Sequence, residues 1–294
     1  MNKSLKIKFF SRSFDLRLYD RSKGLYQQAE IECVRLTDQS ADGYFYTMLS
    51  DKDCDIAINI DEDCFITDLN AVMELTEYVI DNGYANCGCP DGGSFSSRKA
   101  NPLVTNPFFN IINLKLIREN IAKNGNGNNI IKAIKQQVKL FDYNTNKEKM
   151  IESFPKEILQ NKYDFNNQTQ EPYYKFFLWL ACNFKVLYLK SSLHEDGTTT
   201  ILFNHSGKQI CMHTWYARFY SVPSVIVRYF QHDAGKQQNR INAIIDSAYQ
   251  QRNLVFIPEY TSSRYLSDRL IRYFVKFFQR TARLPKKLYK KLIN

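Results

Sequence analysis

The chain lacks any run of about 18 uninterrupted apolar residues, so no membrane-spanning helix is expected. It also lacks a signal-peptide core. The opening MNKSLKIKFFSRSF is basic, but its apolar pieces are short, with Arg12, Asp15 and Arg17 close behind them. A cytoplasmic location is the expectation. Cysteine is present at seven positions (33, 54, 64, 87, 89, 182 and 211), an odd number, and only Cys87 and Cys89 stand close together. Their spacing is not that of a zinc knuckle, which leaves reduced, buried thiols as the expectation. Internal repeats are absent. Acidic residues are nearly missing from positions 264–294, where ten Lys and Arg face one acid, Asp268; this stretch holds +9 of the chain's net +10. The remaining 263 residues are close to neutral, which argues against a nucleic-acid groove in the body and for no nucleic-acid partner. What is abundant is aromatic and aliphatic side chain, enough at 294 residues for one large domain or a domain with an appendage.

Short apolar runs alternate with helical patterns through the first third, as an α/β sheet requires. Strands are expected at Leu5 to Phe10, Glu30 to Leu36, Asp55 to Ile60 and Tyr84 to Cys89, with a short helix at Ala41 to Ser50. A better-marked helix follows Thr67 or Asp68 as N-cap, with Leu69, Val72, Met73, Thr76, Val79 and Ile80 on one face and Gly83 as its stop. Residues 90–109 read as a long loop, and Phe108 to Leu114 as a strand. Residues 120–170 carry ten asparagines and read as a polar insertion with limited core, helical only over Ile130 to Phe141. Pro172 to Asn183 then predicts an apolar helix and Lys185 to Leu189 a strand.

The stretch INIDEDCFI, Ile58 to Ile66, ends an apolar strand in three carboxylates, Asp61, Glu62 and Asp63. Ligands of open α/β sheets bind at the carboxyl ends of strands, where helix N-termini converge. A carboxylate pair there suits Mg²⁺ or Mn²⁺, hard ions that bridge protein to a diphosphate. The order of strand, D-x-D, Phe-Ile, capped helix, strand, loop and NPFFNIINL (Asn106 to Leu114) resembles nucleotide-sugar glycosyltransferases of the GT-A fold, over roughly residues 30–220. The resemblance implies a Rossmann-like α/β domain over residues 1–263, with a mixed central sheet flanked by helices. It implies a divalent ion (Mn²⁺ or Mg²⁺) on Asp61 and Asp63, with Asp61 also on the donor side. The implied donor is a nucleotide sugar, UDP-linked, and the acceptor a glycan or lipid-linked molecule of polysaccharide biosynthesis. Two departures stand out. About 25 residues separate Leu5 from the second strand, so the first βα unit looks abbreviated, and Pro172 follows Glu171 where many inverting members have a second acid.

In that family a further metal ligand, often His, comes from the C-terminal part of the catalytic domain. His194, His205 and His213 are the candidates here, with His213 first because Trp215, Tyr216 and Arg218 follow it. Trp215 could flank a ring or base and Arg218 could meet phosphate. Glu171 is a candidate catalytic base, although an acid before Pro172 also suits a helix opening. Asp91, in an Asp-Gly-Gly turn, is a candidate contact to sugar hydroxyls.

Residues 264–294 form a basic tail with Leu266, Leu270, Phe274, Phe277 and Phe278 on one helical face and Arg269, Arg272, Lys276, Arg280 and Arg283 elsewhere. Such a helix suits an anionic membrane surface, which places the chain peripherally on the inner face of the membrane. The competing expectation is a face docked on the domain. A metal-dependent nucleotidyltransferase would also use paired aspartates, but Gly92, Gly93 and Ser94 follow the aspartates instead of preceding them. A non-catalytic carbohydrate-, membrane- or nucleic-acid-binding protein is the other alternative.

Overall fold

The computed structural model describes residues 5–95, 99–123, 129–220 and 234–272, together with 274, 275 and 278. A six-stranded sheet runs in the order β2-β1-β3-β6-β5-β7, from β1 (Ile7–Arg12), β2 (Cys33–Leu36), β3 (Ile56–Ile60), β5 (Asn86–Pro90), β6 (Thr105–Asn113) and β7 (Val186–Tyr188). β1 is parallel to β2 and β3, β6 is antiparallel to β3 and β5, and β7 is parallel to β5. The carboxyl ends of every strand but β6 therefore share one edge. From β1 the chain steps outward to β2 and then crosses to the other side of β1 at β3. That reversal puts a crevice between the ends of β1 and β3, where open α/β sheets take their ligands.

Both sheet faces are covered. This explains why β3 is apolar at four of its five positions and buried at all of them. Successive residues of a strand point to opposite sides. Phe9 and Ile58 pack on one face with Leu18 of α1 (Leu16–Lys23), Val72 and Leu75 of α3 (Leu69–Asp81), and Ile241 of α8 (Ala234–Gln251). Phe10 and Ala57 pack on the other with Phe45 of α2 (Gly43–Ser50), Ile117 of α4 (Leu114–Ile121), and Phe177 of α7 (Tyr174–Asn183). Each of the larger of these side chains, Ala57 aside, contributes roughly 1.5–3 kcal/mol by leaving water. The architecture is thus α/β, a mixed central sheet flanked by helices.

A second, antiparallel sheet has the order β4-β10-β9-β8, formed by β4 (Cys64–Ile66), β8 (Ser191–Leu193), β9 (Thr200–Phe203) and β10 (Gln209–His213). Asp61 to Cys64 is the turn that carries the chain from β3 into β4, closed by the Cys64 N–H donating to the Asp61 carbonyl at 3.0 Å. The three carboxylates sit at the joint between two sheets.

The ends of α3 fall where the sequence expects them, and other boundaries differ. Asp68 caps α3 by accepting from the Ala71 N–H, and Gly83, at φ 65°, follows its end. β6 begins at Thr105, which shortens the expected long loop, and its last residue, Asn113, also caps α4, so Leu114 opens the helix instead of ending the strand. Residues 120–170 are more than a polar insertion. α5 (Ile130–Leu140) buries Ile134 and Val138, and α6 (Tyr143–Glu152) buries Tyr143 and Met150, all in the same core as α7. Apolar residues on these two helices are sparse because each helix buries only one stripe. α7 opens at Tyr174, so Pro172 lies in the preceding turn and not at the first helical position.

The boundary expected at 263/264 falls within a helical segment, residues 262–272. Tyr265 donates to Asp20 of α1, and Arg35 of β2 holds Asp268 through two hydrogen bonds of 2.9 and 3.1 Å. Arg272 pairs with Asp268 and Asp38. The tail positions Lys276, Phe277, Arg280 and Arg283, and residues 284–294, lie outside the described residues. Among the described residues no helix is long and apolar enough to cross a membrane.

An acid-side test of this packing comes from Asp196 in the β8–β9 turn. It accepts from the N–H groups of Thr198 and Thr199, the Thr199 hydroxyl and the Arg240 guanidinium of α8. Burial pushes its carboxyl up, but the Thr199, Thr198 and Arg240 hydrogen bonds prevail and bring it down to about 2. A carboxyl depressed on folding stabilises above its ordinary value, and that contribution is lost as pH falls through the folded one. The urea midpoint should therefore drop between about pH 4 and 2, and Asp196→Asn should flatten that slope. An unchanged slope in the variant would remove Asp196 as its source.

Candidate functional site

The strand pairing that builds the second sheet also assembles the site. β10 runs antiparallel to β4 with His213 opposite Cys64, and the Thr214 N–H donates to the Asp63 carbonyl at 2.9 Å. His213 consequently reaches Asp63, its Nε2 lying 3.3 Å from Oδ1. Its ring stacks on Phe108, with centroids 4.3 Å apart and planes 10° apart, and Trp215 closes on it at 4.4 Å. Burial pushes the Asp63 carboxyl up, but the charge and hydrogen bond of His213, helped by the Ala217 N–H, hold it below the usual range. His213 Nδ1 is buried without a hydrogen-bond partner.

Asp61 presents the opposite electrostatics. It is half-buried, and its Oδ1 is enclosed with no hydrogen-bond partner. Burial first, and the charge of Asp63 second, push it up to about 8 against the pull of Arg12 and Asn59. Asn59 Oδ1 and the Tyr44 hydroxyl are likewise buried and unpartnered. Buried polar atoms are nearly always paired, so three orphans around the end of β3 mark a place built for something else to complete. Arg12 ends β1 beside them, its guanidinium 4.7 Å from the Phe14 ring and 5.6 Å from the Tyr44 ring.

Glu62, between the two aspartates, turns into the protein. One oxygen accepts from the Ser13 hydroxyl at 2.8 Å and from the N–H groups of Phe14 and Asp15 at 2.9 and 2.8 Å. Burial nonetheless pushes it up to about 8, against the Asp15 and Ser13 hydrogen bonds. Its geometry ties the β1–α1 turn to the carboxylate turn and so fixes the floor of the crevice. The βα unit that looked abbreviated is complete, with Asp15 capping an eight-residue α1.

After His213 the chain takes a strained path. Trp215 and Tyr216 both have left-handed backbones, at φ 58° and 60°, which is costly for bulky residues and recurs at functional sites. The Trp215 indole donates to Thr200 at 3.0 Å, and the Phe95 ring lies 5.7 Å from it. Arg218, itself exposed, follows on a 3₁₀ turn, Ala217–Phe219. Arg240 donates to the Thr214 carbonyl while holding Asp196, and so braces the backbone next to His213.

His213 and Trp215 are thus brought to Asp63, and Asp61, two positions earlier in the same turn, lies close enough to Asp63 to feel its charge. The other two histidines have different neighbours: His194 lies 3.6 Å from Asp196, and His205 stacks on Tyr78 at 3.9 Å. Asp91 ends β5 on the same sheet edge as Asp61, two strand positions away, or about 10 Å at ordinary strand spacing. It is fully buried. Gly92 N–H, Asn106 and Tyr173 donate to one oxygen and Tyr174 to the other, so it fastens α7 to the sheet. Glu171 is not gathered with these residues. It lines a cavity of about 610 Å³ with Phe141, Gln168 and Lys175, whose walls exclude Asp61, Asp63 and His213.

Among the described residues no group of three or more His, Cys, Asp and Glu side chains stands ready to hold a metal ion. The chemistry of the set nevertheless fits a hard divalent cation: two carboxylates, an imidazole, and on Asp61 a buried oxygen with no partner. Sequence reasoning missed Arg12, Tyr44, Asn59 and Arg240. Asn59, a polar residue inside an otherwise apolar strand, was the one signal available.

No family model matches the chain, and no curated protein matches it. Among solved structures, A197 from STIV is similar over 70% of this chain and 93% of its own, at 10% identity and a TM-score of 0.34. That likeness is too slight to carry fold or function from one chain to the other.

Proposed function

We propose that the chain is a glycosyltransferase of the GT-A type that moves a sugar from a nucleoside-diphosphate donor with the help of Mn²⁺ or Mg²⁺. The observation that carries this reading is the contact of His213 with Asp63, in the same turn as Asp61 at the carboxyl end of β3 and beside the crevice between β1 and β3. Breaking the donor's C–O bond builds negative charge on the departing diphosphate, and a divalent ion bound there would act as a Lewis acid to stabilise it. Asp63, Asp61 and His213 would hold the ion. Arg12 and the orphaned Tyr44 and Asn59 groups would bind the donor's polar atoms, and Trp215 would cover one side of it. Arg218 would meet phosphate. Asp91 fastens α7 at the same sheet edge, where a glycan or lipid-linked acceptor would bind, and Glu171, which lines a separate cavity, has no part in this reading.

Thermal stability measured with nucleoside diphosphates and Mn²⁺, singly and together, tests the reading. Ligand at a hundred times its Kd stabilises by about 2.7 kcal/mol. For a domain of this size that is a rise of several degrees, expected only when nucleotide and cation are both present. His213→Ala should abolish that joint response, while His205→Ala and His194→Ala leave it intact. No response to any nucleotide, or an equal response without the cation, would discard the proposal.

A further inference from the structure

The helical segment 262–272 has two unlike sides. Tyr265, Asp268 and Arg272, spaced three and four apart, face the body. Leu266 and Leu270, with Phe274 four residues on, fall on the opposite side, at 55%, 49% and 62% exposure, and Ile271 beside them is 50% exposed. A continuous row of large apolar side chains kept in water is costly, and such rows mark interaction surfaces.

We infer that this helix is a membrane-docking face, clamped to the body through Asp268 and offering Leu266, Leu270, Ile271 and Phe274 to an anionic lipid bilayer. Charge selects the occupant. Residues 264–294 hold ten Lys and Arg against the single acid Asp268, and that acid is already neutralised by Arg35 and Arg272. An apolar row within so basic a stretch matches anionic headgroups over acyl chains, whereas two copies of it facing each other would repel. The clamp adds a second property. Arg35 belongs to β2, so the row has a fixed orientation relative to the sheet edge that bears Asp61. This inference does not depend on what the carboxylate turn catalyses.

The test is sedimentation of the full chain with vesicles of phosphatidylcholine, with and without phosphatidylglycerol, at moderate salt. Leu270→Ser and Phe274→Ser change no charge, and both sites are exposed, so the fold should persist with an unchanged melting temperature. Binding to the anionic vesicles is expected, and each substitution should weaken it at least about fivefold, because each removes a large apolar side chain from the contact. Undiminished binding in both variants would overturn the inference. So would equal binding to vesicles without phosphatidylglycerol, or self-association of the full chain that both variants abolish.

Discussion

Asp63→Asn should weaken cation-dependent nucleotide binding by at least about a hundredfold while leaving the chain folded. Groups that merely orient a metal ligand are worth 10–100-fold, and a ligating carboxylate should exceed them. The amide is the right replacement because it keeps the size of the side chain and can still meet His213, now 3.3 Å away. Asp63's main-chain carbonyl, which receives Thr214, is untouched. Asp61→Asn should remove the cation response as well, with the opposite effect on the empty fold. Its carboxyl lies at about 8 because burial and the charge of Asp63 both oppose ionisation, and an amide escapes both penalties. A gain of about 1 kcal/mol, or a few degrees in Tm, is expected, the trade of stability against activity common at functional sites. Isothermal titration of Mn²⁺ with nucleoside diphosphate, alongside calorimetric melting, measures both. Wild-type affinity in Asp63→Asn would end the case for a metal at this turn.

The sequence and the structure agree where short-range signals decide. β3 is apolar because both its faces are covered, and α3 has a capping Asp68 and a terminal Gly83, so both were readable within a few residues. His213 and Asp63 are 150 positions apart, yet both were legible by chemical type and by likeness to a known pattern. Their contact depends on β4 pairing with β10, and β4 is only Cys-Phe-Ile. Three residues carry no usable periodicity, so the second sheet could not be read. The helices between 130 and 152 were obscured for another reason. Lysine and other polar side chains dominate their solvent sides, and only Ile134, Val138, Tyr143 and Met150 show the buried stripe. The tail reads as one amphipathic element, but its acid, Asp268, is held by Arg35 from across the fold as well as by Arg272 one turn on in the same helix. Long-range ion pairs leave no trace in local pattern.

Glu62→Ala should be the most damaging change in the carboxylate turn, and its damage should fall on stability. The two flanking aspartates leave oxygens for a ligand, but Glu62 is 4% exposed and spends one oxygen on three donors. Truncation would strand the N–H groups of Phe14 and Asp15 and leave the Ser13 hydroxyl only the Asp15 carbonyl, at 3.3 Å, in a site from which water is largely excluded. Each stranded donor costs about 1–3 kcal/mol, so a loss of about 3–5 kcal/mol is expected after partial relaxation, enough to unfold a marginal domain. Glu62→Gln tests the cause. An amide oxygen can accept all three hydrogen bonds, and without a charge to bury it should restore most of the stability. Because Ser13, Phe14 and Asp15 link β1 to α1, their release would also loosen the crevice wall beside Arg12. Nucleotide binding should therefore weaken in Glu62→Ala even in conditions where the variant stays folded, and recover in Glu62→Gln. Urea unfolding of the three forms decides it. A Glu62→Ala protein as stable as the wild type would mean that the inward carboxylate does not hold the turn, and a Glu62→Gln protein as unstable as Glu62→Ala would mean that its charge, not its hydrogen-bond geometry, is what the fold requires.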